Sequence, residues 1–197
     1  MATPRVVLDT HLWLEMLVFH DSRAFILRDA LRGSSDVLHV AMNHFTLSEL
    51  HSTLRRNWPH EVWRVRAVNV SPTIHAQTEA IEGLSLLWLN DNDTAAALTL
   101  PALPKCRDPN DVPLFALASA ADAAMLISRD KAVLKCRSYA HVSGTGRGVT
   151  LTPEAAVERL RARSAGLNRQ TICPAYTHPW EHPCVQWFSP CHQCRRR

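Results

Sequence analysis

Four acidic residues, spread along a chain of 197 residues, carry the strongest chemical signal: Asp9 in VVLDTHLWL, Glu49 in TLSELHSTLRR, Asp111 in CRDPNDVPLFALA and Asp130 in MLISRDKAVL. Each lies where a strand would end or a helix begin. Carboxylates gathered at one place repel each other unless a cation sits among them, and Mg²⁺ or Mn²⁺ prefers oxygen ligands. A cation so held lowers the pKa of a bound water and offsets charge on a phosphorane, which is the chemistry of a metal-dependent phosphodiesterase. Taken singly, each acid has a plainer reading. Asp9 or Asp130 could cap a helix, Glu49 could be a solvated helix residue, and one of Asp108 and Asp111 could cap the turn they flank. The joint order and spacing favour the metal site.

The elements that must bring these acids together follow from the apolar pattern. Val6, Val7 and Leu8 form a short run ending on Asp9, as expected of a strand buried on both faces of a parallel sheet. Helical stretches follow from Leu12 and from Ser22 to Leu31, and Val37 to Val40 reads as a second strand. From Thr46 to Arg56, Leu47, Leu50 and Leu54 fall at helical spacing, which sets Glu49 beside the buried stripe. Between His60 and Asp91, Ile74, Ile81, Leu84 and Trp88 fit one helical face, with Trp63 and Val65 in a preceding helix. Leu100 to Pro109, with its prolines, reads as an ordered linker. A helix from Asp111 carries Leu114, Leu117, Ala118 and Ala121 on one side, with Pro113 tolerated in its first turn. Ala124 to Ile127 and Val149 to Leu151 read as strands, and Thr152-Pro153-Glu154 opens a final helix. Strands alternating with helices make an α/β fold, and in an open parallel sheet the carboxyl ends of the strands share the edge where distant acids can meet.

Composition sets bounds. With 46% hydrophobic residues the chain can bury one substantial core. No apolar run reaches the roughly 20 residues that span a bilayer. The opening MATPRVV has no cationic region followed by a long apolar one, because Asp9, His11 and Glu15 interrupt it, so a cytoplasmic location with no membrane association is expected. The net charge of +4 is uneven: after Leu167 there are four arginines against Glu181 alone, so any basic patch on the remainder must be local. Arg55, Arg56, Lys105, Arg107, Arg129, Lys131 and Lys135 adjoin the motif acids in sequence and could hold substrate phosphates without reading bases.

Other chemistries fit less well. Asp9 lacks the second acid two residues on that an aspartyl-nucleophile phosphatase needs, and no GxGxxG or GxxxxGK[ST] occurs. His44, His51, His60 and His75 lack metal-ligand spacing, and Cys106 and Cys136 read as small half-buried thiols. The tail after Gly166 is rich in Pro, His, Cys and Trp and has no apolar periodicity; only Cys191 and Cys194 have zinc-knuckle spacing. The expected organisation is a nuclease domain over residues 1–166 and a disordered, dispensable extension over residues 167–197.

The VVLDTHLWLEMLVF segment, the acid in SELHSTLRR, the CRDPNDVPLFALASAADAAMLISRDKAVLK block and the closing VTLTPEAAVERL together resemble the PIN-domain family, in particular the bacterial toxin components of toxin-antitoxin systems. The resemblance covers residues 5 to 164. It implies a three-layer α/β/α sandwich around a central parallel sheet and a Mg²⁺- or Mn²⁺-dependent endoribonuclease that leaves a 5′-phosphate and a 3′-hydroxyl. It assigns the metal and catalytic roles to Asp9, Glu49, Asp111 and Asp130, with Thr10, Asp108 and Ser128 as supporting groups around them. His11 stands where the family most often has Asn, and the tail has no counterpart. The partners implied are an RNA substrate, a cognate antitoxin protein and a second copy of the chain. The competing class is a catalytically inactive module of the same fold that binds RNA or another protein; its sign would be a missing acid, and all four are present.

Overall fold

The computed structural model describes residues 3–19, 21–34, 38–54, 84–100, 103–144 and 146–170. The chain divides into two compact units, Met1–Ser164 and Ala165–Arg197. The first holds a six-stranded sheet: β1 (Arg5–Leu8), β2 (His39–Met42), β3 (Leu86–Trp88), β4 (Met125–Ile127), β5 (Ser138–Ala140) and β6 (Arg147–Leu151). Its order is β3-β2-β1-β4-β6-β5, with every neighbour parallel except β5 against β6. The helices are α1 (Thr10–Leu17), α2 (Ser22–Arg32), α3 (His44–Leu54), α4 (Asp91–Leu98), α5 (Val112–Ala120), α6 (Lys131–Lys135) and α7 (Pro153–Gln170), and a 3₁₀ turn at Pro109–Asp111 leads into α5.

Alternation along the central strands builds three layers. Val6 and Leu8 of β1, Val40 and Met42 of β2 and Met125 and Ile127 of β4 pack on one side with Leu12, Leu27, Leu31, Ala156 and Leu160 from α1, α2 and α7. Val7, Ala41 and Leu126 face the other side, against Phe115, Leu117 and Ala118 of α5 and the fully buried Tyr139. Short strands covered on both faces must be apolar at every position, which is the pattern their sequence shows. This is the three-layer α/β/α sandwich with a mostly parallel sheet.

Several local expectations shift. Strand β2 runs His39–Met42 rather than Val37–Val40, because Ala41 and Met42 continue the buried run up to the cap of α3 at Asn43; Val37 itself lies outside the described residues. The helical face drawn through Ile74, Ile81, Leu84 and Trp88 fails at its end, since Leu86–Trp88 is a strand. Among the described residues that strand pairs only with β2, at an edge of the sheet, and it leaves Leu86 and Trp88 about half exposed, so it lacks the burial that would mark it in sequence. Trp63, Val65, Ile74 and Ile81 lie outside the described residues, as does the tail from residue 171 with its cysteines and histidines. Helix α4 escapes a periodicity reading because it buries only Thr94 and Ala97; Asn90 caps it. Strand β5 is equally silent in sequence, with one large apolar residue, Tyr139, whose hydroxyl donates to the Ala123 carbonyl at 2.8 Å. A Cβ at residue 148 would collide with the Tyr139 ring and the Ala123 carbonyl, so the glycine there permits this close packing of β6. Helix α7 continues past Gly166 to Gln170.

Candidate active site

Strands β1 and β4 lie side by side with Leu8 opposite Ile127, so the residues that follow them leave the sheet at the same edge. Asp9 comes directly after β1 and caps α1: its Oδ1 accepts the His11 N–H at 3.3 Å. Its other oxygen, Oδ2, accepts from the Ser128 hydroxyl. Ser128 is fully buried, and its Oγ also accepts the Asp130 N–H at 2.9 Å. Asp130 in turn caps α6 by accepting the Ala132 N–H. One buried hydroxyl therefore couples the loops that carry two of the four acids. The capping reading and the cluster reading of Asp9 and Asp130 are compatible, because a cap occupies only part of a carboxylate's acceptor capacity.

Asp111 reaches the same edge from the opposite layer. Asp108 accepts the Asn110 N–H at 2.9 Å and so caps the 3₁₀ turn, while Asp111, at the head of α5, makes no side-chain cap bond. Its carboxylate instead receives a weak bond from the Cys106 thiol, Sγ to Oδ2 at 3.6 Å. Burial, foremost, pushes the Asp111 carboxyl up to about 6; repulsion from Asp130, Asp9 and Asp108 pushes it the same way, and the Cys106 bond opposes them. That repulsion marks Asp9, Asp111 and Asp130 as sharing one electrostatic neighbourhood. Desolvation also raises the Cys106 thiol, to about 11, which keeps it a neutral donor rather than a thiolate.

Glu49 joins from α3. Asn43 and Thr46 cap this helix reciprocally: Asn43 Oδ1 accepts the Thr46 N–H at 2.9 Å and Thr46 Oγ1 accepts the Asn43 N–H at 3.2 Å. Asn43 is buried and its amide also donates to Thr94 Oγ1 at 3.2 Å, which ties α3 to α4. Glu49 is exposed, and its Oε2 accepts from the Thr10 hydroxyl at 2.8 Å. Because Thr10 follows Asp9, this bond places Glu49 at the side of the acidic cluster.

The candidate phosphate contacts divide. Arg129 is engaged inside the fold: its Nε donates to Glu15 Oε2 at 2.9 Å and its Nη1 to Glu154 Oε1 at 2.8 Å. Glu15, buried within α1, also has His11 Nε2 at 3.6 Å from its Oε1. Arg107 and Lys131 are exposed, while Arg55 and Arg56 lie outside the described residues. Three contributors go unnoticed in a sequence reading: Glu15, the anchor of Arg129; Asn43, whose signal is the Asn-x-x-Thr cap; and Cys106, the partner of Asp111.

The acidic edge suits a hard cation by its donor chemistry, since its groups are carboxylates and Asp111, raised first by burial, is raised further by the repulsion of Asp130, Asp9 and Asp108. Among the described residues no three His, Cys, Asp or Glu side chains close on one point as a ready-made cage. An ion at this edge would be held by one or two carboxylates and complete its shell with water, the habit of Mg²⁺. Asp9, Asp111 and Asp130 are the carboxylates that would offer those ligands, with Glu49 completing the cluster directly or through water.

The position of Ser128 makes a direct prediction. Ser128→Ala leaves an Asp9 oxygen and the Asp130 N–H without their partner, at an expected cost of about 1–2 kcal/mol. Urea unfolding measures that cost. An unchanged midpoint would show that the hydroxyl does not couple the two loops.

A PIN-domain sequence profile matches residues 5–132. No curated protein matches the chain. Among solved structures, VapBC2 from Rickettsia felis bound to a promoter DNA fragment aligns at 10% identity and a TM-score of 0.47, over 75% of this chain and 98% of that one. PAE2754 from Pyrobaculum aerophilum aligns at 14% identity and a TM-score of 0.45, over 81% of this chain and 91% of the other. Among the described residues no helix is long and apolar enough to cross a membrane. The profile spans well over half of the sequence and runs from β1 through Asp9, Glu49, Asp111 and Asp130 to the first turn of α6, and the chain therefore belongs to the PIN-domain family, whose members are in general nucleases.

Proposed function

We propose that this protein is a divalent-metal-dependent endoribonuclease acting in the cytoplasm as the toxin of a toxin-antitoxin pair. The single observation that carries the nuclease reading is the Ser128 hydroxyl, which donates to Asp9, accepts the Asp130 N–H and so joins two acid-bearing loops at one sheet edge, beside which Asp111 feels their repulsion. The toxin role, a cognate antitoxin partner and a homodimeric state rest on the resemblance of the motifs set out above. When bound, Mg²⁺ or Mn²⁺ supplies positive charge against the phosphorane and acidifies the attacking water.

The chain's own residues do the rest. Asp9 and Asp130 present carboxylates whose orientation is set by helix caps and by the shared Ser128 hydroxyl. Asp111, with no cap bond, keeps one oxygen beyond the Cys106 contact for the ion. Glu49, steadied by Thr10, stands at the exposed rim, where a carboxylate can accept hydrogen bonds from ordered water. Arg107 and Lys131 are exposed near the acids and can take substrate phosphates, whereas Arg129 is already paired with Glu15 and Glu154.

The test is cleavage of single-stranded RNA by the purified full chain. The expected result is cutting with Mn²⁺ or Mg²⁺ that stops on addition of EDTA and yields 5′-phosphate ends. Cutting that persists in EDTA overturns the metal-dependent mechanism, and RNA binding without cutting at any divalent metal supports the inactive module instead.

A further inference from the structure

A pocket of about 430 Å³ opens between the loop carrying Lys105 and Arg107, helix α6 and the β5–β6 edge of the sheet. Four of the side chains around it are cations: Lys105, Arg107, Lys135 and Arg147. Among the described residues no carboxylate lines it and none of these four cations forms an ion pair. Arg147 is held along the wall by a bond from its Nη2 to Ser138 Oγ at 2.9 Å, which leaves its other guanidinium donors available. Four like charges around one concavity repel each other, so the pocket is arranged for an anion rather than for packing.

The pocket adjoins the acidic edge. Ala132 lines it, and its N–H is the group that donates to the capping carboxylate of Asp130. Arg107 lines it too and immediately precedes Asp108 in the capped turn that presents Asp111. A strand of RNA whose cut bond lies at the acids would thus have a neighbouring phosphate within reach of the cations. Among the described residues no aromatic side chain lines the pocket to offer a platform for stacking a base.

The geometry points to this pocket as a subsite for a backbone phosphate of the RNA strand next to the cleaved bond, with Lys105, Arg107, Lys135 and Arg147 as its contacts. The inference rests on the proposed ribonuclease reading and names the substrate contact that this reading leaves open. Contacts of this kind position a strand without reading its sequence.

The test measures binding without cleavage: a fluorescent single-stranded RNA oligonucleotide is titrated in EDTA over a range of salt concentrations. The variants are Lys105→Gln/Lys135→Gln and, as a control removing the same charge, Arg159→Gln/Arg163→Gln. The two control arginines are exposed on α7, whose Ala156 and Leu160 pack against the other face of the sheet from Cys136. The pocket variant is expected to bind about tenfold more weakly, with the slope of log affinity against log salt falling by about 0.7 for each phosphate no longer neutralised. The control should match the unmodified chain. Equal losses in both variants, no loss in the pocket variant, or no RNA binding by the unmodified chain each overturn the subsite. Loss confined to the pocket variant upholds it even where Mn²⁺ elicits no cutting, an outcome that would sink the nuclease reading instead.

Discussion

Asp111→Asn is expected to lower RNA cleavage by about a thousandfold, the loss that follows from removing several kcal/mol of metal-held charge stabilisation. The same substitution should raise the melting temperature of the metal-free protein near neutral pH. Burial and the Asp130, Asp9 and Asp108 carboxylates hold the Asp111 carboxyl at about 6 against an ordinary value of 3.8. Between these values the folded state binds a proton that the unfolded chain has released, so stability falls as pH rises through this window and stays reduced above about 6. Below pH 3.8 both states are protonated and stability is unaffected. Asparagine carries no charge, so the gain should be absent at low pH and full above 6. Asp111 is only partly buried, and solvent screening reduces the effect of its shift to about 1 kcal/mol, or about 2–4 °C in melting temperature. Differential scanning fluorimetry with EDTA at acid and neutral pH separates the two regimes. A second arm adds Mn²⁺, which should stabilise the unmodified chain more than the variant. A variant that melts lower at neutral pH, or that still cuts RNA, would refute the crowded-carboxylate reading.

Arg129→Ala is expected to cost about 3 kcal/mol, because it leaves the Glu15 carboxylate buried without its cation. The corresponding fall in melting temperature is about 6–12 °C. The double variant Glu15→Leu/Arg129→Ala should recover much of the loss, since an apolar side chain replaces the stranded charge. RNA affinity below the melting transition should change little, as Arg129 is held inside the fold by Glu15 and Glu154 and its remaining Nη2 is buried. If Arg129→Ala melts normally but binds RNA poorly, the arginine is a substrate contact and its ion pairs are incidental.

Arg129 also shows where a linear reading stops. Next to Asp130 in sequence, it looks like one more cation ringing the acids. In the fold, Glu15 lies on α1 after β1 and Glu154 at the start of α7 after β6, and the adjacency of β1, β4 and β6 brings both to Arg129. The same limit applies to Cys106, which reads as an inert thiol until the turn at Asp108 folds it against Asp111. Strands β3 and β5 are illegible for a related reason. Each is short and lies at an edge of the sheet, β3 half-exposed and β5 with a single large apolar residue, so neither leaves an apolar period.

The signals legible along the chain were local: short apolar runs that read as strands covered on both faces, the Thr152 cap, the capping alternatives at Asp9 and Asp130, and the α/β alternation. These signals survive in a linear reading because each is set by neighbours within one turn or one pleat. The tertiary structure alone decided which charges are spent and which are left. Pairing β1 with β4 puts Ser128 between Asp9 and Asp130, the head of α5 brings in Asp111 from the other layer, and the loop before it, α6 and β6 together gather four cations around one pocket. The physical reason is that charges interact through distance and burial, and neither is a property of position along the chain.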